Sequence, residues 1–144
     1  MCGFKLKYIF SLATPMLALL LLSASPGQDE KEVIRSRFPY AELETTEVDM
    51  GQLVEGSRAR GEVHLTNEGA KDLLIGRVRS SCGLLIATWP TEPIRQGERA
   101  TIRFSYDTSR LGPFERRMII HTNAYQKTLV VPVTGEVLPD RIKK

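Results

Sequence analysis

The chain has 144 residues, enough for one domain of ordinary size and too few for a second. Its 20 basic and 17 acidic residues give a formal charge of +3, but Lys5 and Lys7 lie in a leader-like segment. Without those two, 18 bases face 17 acids, about +1, and the arginines from Arg77 to Arg117 are interleaved with Glu92, Glu98 and Glu115, which argues against a nucleic-acid partner.

The N-terminus runs in the order charged, apolar, small, polar: Lys5 and Lys7, then 8–22, then Ser23, Ala24 and Ser25, then Gln28-Asp29-Glu30-Lys31. That is the order of an export signal. The apolar run is shorter than the ~20 residues a spanning helix needs, and Pro15 interrupts it. Residues 1–27 are therefore expected as a signal peptide cut after Ala24 or Gly27, with an uncleaved anchor as the alternative. Either form places the remainder in the periplasm, outside the cell or on the envelope, and contact with a membrane is expected only if the segment stays. Cys2 precedes the apolar run, so it does not read as a lipid acceptor, and its loss would leave Cys82 with no internal disulfide partner.

Residues 28–40 are charged, with Val33 and Ile34 the apolar exceptions and Pro39 closing any helix, and read as a linker. The domain is expected over 41–138, with a polar tail over 139–144. A first strand or strand pair covers 41–52, and Glu55-Gly56 turns the chain. From Ser57 to Asn67, Val63 and Leu65 alternate with Glu62, His64 and Thr66, the period of a half-buried strand. Asn67-Glu68-Gly69 closes it, Asn and Gly being the residues that tolerate positive φ. Leu73, Leu74, Ile75 and Val78 fall on both faces of the next strand, which predicts a central position. Leu84 to Ala87 form a short apolar run ending at Trp89-Pro90. Ala100, Ile102, Phe104 and Tyr106 then point inward, and Thr101, Arg103, Ser105 and Asp107 outward. Met118 and Ile120 face in on the strand from Phe114 to Thr122, as do Leu129, Val131, Val133 and Val137 on the last, where Pro132 predicts a free edge. No stretch from Ala41 to Val137 sustains a 3.6 period. The fold class is all-β: an antiparallel, immunoglobulin-like sandwich of about seven strands.

Asp49-Met50-Gly51, Glu55-Gly56, Leu65-Thr66-Asn67-Glu68-Gly69, Ser80-Ser81-Cys82-Gly83, Gly97-Glu98, Gly112-Pro113-Phe114, Thr122-Asn123 and Val133-Thr134-Gly135-Glu136-Val137 resemble, in order and spacing, the bacterial exported domains of unknown function 1573. The resemblance covers about 46–137. It implies an immunoglobulin-like sandwich related to PapD-type chaperone domains and implies no established activity. Relatives typically carry Ser-Cys-Gly-Cys-Thr where this chain reads Ser81-Cys82-Gly83-Leu84-Leu85. Leu84 replaces the second cysteine, so no paired-thiol site carries over, and only Cys82 matches.

No hydrolase, P-loop, dinucleotide or Cys-x-x-Cys signature occurs, no cofactor is expected, and the reading is not an enzyme. His64 and His121 lie on outward phases. Cys82 is the candidate metal residue: as a thiolate it suits a soft cation such as Cu(I), with Met50, Met118 or a histidine, whereas a small buried hydrophobe is the plainer role. Trp89 and Tyr106 form either an aromatic surface or packing. Arg77 and Arg79, two apart on one strand, offer a surface to an anionic partner or a solvated face, and Pro132 marks a second candidate partner surface. Asn67, Gly69, Gly97 and Gly112 are assigned to turns. The expected function is that of an exported, non-enzymatic binding or structural module of the bacterial envelope, with metal or thiol handling at Cys82 as the alternative.

Overall fold

The computed structural model describes residues 26–141. The expected signal segment lies outside them, apart from its last two residues, and so does the end of the polar tail. Among the described residues no helix is long and apolar enough to cross a membrane.

The stretch read as a linker is largely helical. Helix α1 spans Pro26–Arg37, with proline at its first position, Asp29 in the first turn, and Arg35 and Arg37 in the last. Pro39 ends it by excluding the helical conformation from Phe38. The C-terminal end of α1 is tied to the domain: the Ala70 N–H donates to the Arg35 carbonyl at 2.7 Å and the Tyr125 N–H to that of Pro39 at 3.0 Å. The Arg35 guanidinium pairs with Glu42 at 3.2 Å and covers the Tyr40 ring at 4.8 Å.

Eight strands follow: β1 (Ala41–Leu43), β2 (Val48–Val54), β3 (Ala59–Asn67), β4 (Ile75–Ser80), β5 (Leu84–Thr88), β6 (Arg99–Tyr106), β7 (Gly112–Thr122) and β8 (Thr128–Leu138). They form two four-stranded sheets ordered β1-β3-β6-β5 and β2-β8-β7-β4. The expected sandwich is what the chain adopts, with the three-residue β1 as an extra edge. The 41–52 stretch is indeed a strand pair, split between the two sheets.

Alternation builds the core. Ala100, Ile102, Phe104 and Tyr106 from β6 meet Met118 and Ile120 from β7 and Val131, Val133 and Val137 from β8, all buried. Two aromatic rings fill spaces opened by glycines directly across the ladder. Phe104 lies over its register partner Gly61, and Phe114 over Gly135, where an added Cβ would come within 2.7 Å of the Phe114 ring. Phe114 also stacks on Tyr106 with centroids 3.7 Å apart, which joins the two sheets.

Three sequence expectations need correction. The strand around Val78 is not central: β4 is an edge, paired to β7 alone. Its apolar residues fell on both faces because the register shifts between Ile75 and Arg77, so burial passes from Ile75 to Val78, and Leu74 precedes the strand and is 40% exposed. Pairing is also not wholly antiparallel, since β2 runs parallel to β8. These strands come from opposite ends of the domain and need no local crossover, so the absence of helices between strands does not forbid the pair. The free edge expected at Pro132 is present locally: β8 is interior to its sheet from Val133 onward, but at Pro132 it pairs with β7 alone. β2 joins only from Val133 onward, so the missing N–H falls before that ladder begins, while Pro132 faces Arg117 on β7. Finally, Asn67 and Gly69 do not use positive φ.

Asn67 is instead a buried junction. Its Nδ2 donates to the carbonyls of Lys71 and Ile94, each at 2.8 Å, and its Oδ1 accepts from the Gly69 N–H at 3.0 Å and the Tyr40 N–H at 3.4 Å. Gly69 is required by space, because a Cβ there would collide with the backbone of Phe38 and Tyr40. Gly97 and Gly112 do hold positive φ, as turn residues should.

Candidate functional site

Two regions gather side chains with chemical potential. The first is the β4–β5 turn. Gly83 takes φ +86°, a left-handed conformation that glycine supplies without strain, and the turn leaves Cys82 exposed with a free thiol. A small pocket of about 90 Å³ beside it is lined by Cys82, Gly83, Tyr106, Asp107, Arg110 and Arg116. The expectation of a buried cysteine is overturned: Cys82 stands at the second position of the turn closed by the Leu84 N–H on the Ser81 carbonyl, outside the core. Neither methionine joins it: Met118 is fully buried and Met50 packs against the core. Among the described residues no cluster of three or more His, Cys, Asp or Glu stands close enough to hold a metal. Asp107 has its carboxyl held below the usual aspartate range, chiefly by the Ser109 N–H at 3.0 Å, with the Ser109 hydroxyl and the Arg110 charge adding to it.

Arg116 is the residue that sequence reasoning missed in this region. It sits on the inward phase of β7, opposite buried Val133, and its guanidinium extends to the sandwich end with Nε buried and unpaired. Its signal was available, as the one charged residue in phase with Phe114, Met118 and Ile120. Of the two alternatives for Trp89 and Tyr106 the structure shows packing: Tyr106 is buried in the core and Trp89 packs, half-buried, against it.

The second region is the outer face of the β4–β7–β8 sheet. Arg77 and Arg79 are both exposed on β4, as their spacing required, and lie opposite His121 and Ile119 of β7. Arg117 follows on β7 opposite Pro132, and Ile119 lies opposite Val130, which is 51% exposed. Arg77, Arg79 and Pro132 thus share one surface, and the sequence missed the residues between them. The out-of-phase positions of Arg117 and Ile119 against inward Met118 and Ile120 were the usable signal; the neighbourhood with β8 was not, because it depends on strand order.

The other sheet treats its charges differently. Arg103 pairs with Glu62 at 2.9 Å, directly across the β3–β6 ladder, and Arg99 donates to Glu44 at 2.6 Å. His64 bonds Thr101 at 3.0 Å and lies 3.7 Å from Glu62, while on the opposite sheet His121 bonds Thr128 at 3.3 Å. The histidines are held on opposite faces of the molecule, so neither shares a site with the other.

Two sheets packed face to face, with edge strands on both flanks and the first long strand parallel to the last, define an immunoglobulin-like sandwich. The chain belongs to the family described as "Protein of unknown function (DUF1573)", which matches it over residues 41–137. Solved structures of the same fold include a protein of unknown function from Porphyromonas gingivalis W83 (TM-score 0.60, 23% identity, 68% of this chain and 46% of that one). The PapD-like domain 7 of human CEP192 gives TM-score 0.56 at 11% identity, over 70% of this chain and 87% of that one. The secreted serine protease VesC from Vibrio cholerae gives 0.55 at 15%, over 69% of this chain and 23% of that one. At these identities the likeness shows the fold alone, and the chain spans about half of the Porphyromonas protein. No curated protein matches.

Proposed function

We propose that this chain is an exported, non-enzymatic sandwich that binds or organises other components of the bacterial cell envelope. The observation that carries the reading is the open architecture: each sheet ends in two edge strands, and one outer face holds exposed arginines beside exposed Val130 and half-buried Ile119 and Pro132. The charged, apolar, small, polar order of residues 1–31 supports export. Family membership and PapD-like neighbours are consistent with a module that acts through its surface.

The test is to follow the full chain in a bacterial host by cell fractionation, intact mass and in-cell photocrosslinking from surface positions on both sheets. The reading expects an envelope fraction and crosslinks to a discrete partner. A cytoplasmic chain of full mass without crosslinks would refute it. A thiol-based role is favoured by one observation, the exposed Cys82 beside Arg110 and Arg116. Mass lost on adding chelator or reductant would move the function there.

A further inference from the structure

We propose that the β4 edge, with the adjoining outer face of β7, docks an extended acidic segment of an envelope polypeptide, its carboxylates two residues apart against Arg77 and Arg79. This rests on the binding-module reading above and names the partner's chemistry.

Charge complementarity selects the occupant. Ion pairs line the β1-β3-β6-β5 side: Arg35–Glu42, Arg99–Glu44, Arg103–Glu62 and the His64–Glu62 contact. The side chains of Arg77, Arg79 and Arg117 have no partner among the described residues. The ladder explains why: across from them stand His121, Ile119 and Pro132, and the carboxylate on the same face of β7, Glu115, lies one alternate position beyond Arg117. Three guanidinium groups are therefore left to solvent around an apolar strip of Ile119, Val130 and Pro132.

Geometry selects the form. Same-face residues on a strand repeat every ~6.8 Å, so carboxylates at alternate positions of an added strand meet Arg77 and Arg79 in register. Between Gly76 and Arg79 the outer edge of β4 has no partner strand, and its main-chain groups are useful to another polypeptide backbone rather than to a lipid surface. A shallow depression of about 420 Å³ at the start of this edge, lined by Leu74, Gly76, Arg77, His121, Thr122 and Asn123, accepts one apolar side chain of such a segment. A bulge and arginines on an edge also discourage indiscriminate strand pairing. That purpose requires neither Arg117 on the neighbouring strand nor the exposed Val130 beyond it.

The experiment titrates the chain, as its host produces it, with a synthetic peptide of alternating Glu and Val, its Lys-Val counterpart, and phosphatidylglycerol vesicles, reading amide shifts and anisotropy. The Glu-Val peptide should bind, move the amides of 74–80 and 117–121, and release as salt rises. Arg77→Glu with Arg79→Glu should weaken it about tenfold or more, while Arg77→Lys with Arg79→Lys retains most of the affinity. The unfolding midpoint should be unchanged, since both side chains are exposed. Binding to vesicles but not peptide, binding indifferent to charge reversal, or no binding would each overturn the proposal. In-cell crosslinks from Gln52 or Thr101 but none from Ser80 or Thr122 would overturn this site and leave the binding-module reading standing. An unexported chain would remove that broader reading instead.

Discussion

Removing the side chain of Asn67 is the sharpest test of how the domain is held together. Asn67→Ala deprives the Lys71 and Ile94 carbonyls of donors at 2.8 Å and the Gly69 N–H of an acceptor at 3.0 Å. It also removes the longer 3.4 Å bond from Tyr40. At about 1 kcal/mol for each of the three short bonds the loss is about 3 kcal/mol, rising toward 5 if water cannot reach the vacated site. For a domain of this size that lowers Tm by about 15 °C. The single Trp89, packed against the core, reports unfolding in urea, and the slope of free energy against denaturant should not change. Asn67→Asp separates the hydrogen bonds from the volume. It keeps the acceptor, but when ionised it turns a carboxylate toward two carbonyls, so its folded pKa is raised. Its stability relative to the native chain is then greatest below the range of an unfolded aspartate and is lost as pH rises through the folded pKa. A loss below about 1 kcal/mol for Asn67→Ala, or a pH-independent Asn67→Asp, would refute the junction.

The ring-over-glycine packing predicts that Gly61→Val, which drives a branched side chain into Phe104, costs about 2 kcal/mol by urea unfolding, whereas exposed Gly76→Val costs far less. An unperturbed Gly61→Val would mean that the Phe104 ring can move aside. Cys82 should react with one equivalent of a thiol reagent in the folded protein, and Cys82→Ser should leave stability within about 0.5 kcal/mol. Labelling only after unfolding would contradict its exposure. The lowered pKa of Asp107 predicts that the Ser109 amide titrates with a midpoint below that of an ordinary aspartate. Its contribution to the loop is present above the unfolded value and fades as pH falls through the folded one; a midpoint at or above the ordinary value would exclude the bond.

The strands were most legible where burial is strictly one-sided. Along β6 the alternation Ala100, Ile102, Phe104, Tyr106 matches the buried set residue for residue, and Met118, Ile120, Val131 and Val133 follow in the same way. Legibility failed wherever two distant segments decide a residue's role. The bulge in β4 reset the phase between Ile75 and Val78, which a fixed period reads as two buried faces. The β2–β8 pair joins strands from opposite ends of the domain, and nothing in either strand marks its direction. Asn67 looked like a turn residue because Tyr40 and Ile94, which give its amide a purpose, lie 27 residues away on either side.

The candidate surface divides along the same line. Arg77 and Arg79 share a face by parity alone, so the sequence places them together, but whether they are satisfied depends on what stands across the ladder. On the other sheet Glu62 stands opposite Arg103, and the charge is neutralised within the chain. Here Ile119 stands opposite Arg79 and Pro132 opposite Arg117. An apolar residue opposite an exposed arginine gains nothing from the pairing, and the guanidinium loses no hydration by standing alone in water. The chain uses ion pairs on one sheet and, among the described residues, leaves Arg77, Arg79 and Arg117 of the other without one, and that difference between its two faces is the ground for proposing an acidic partner at β4 and β7.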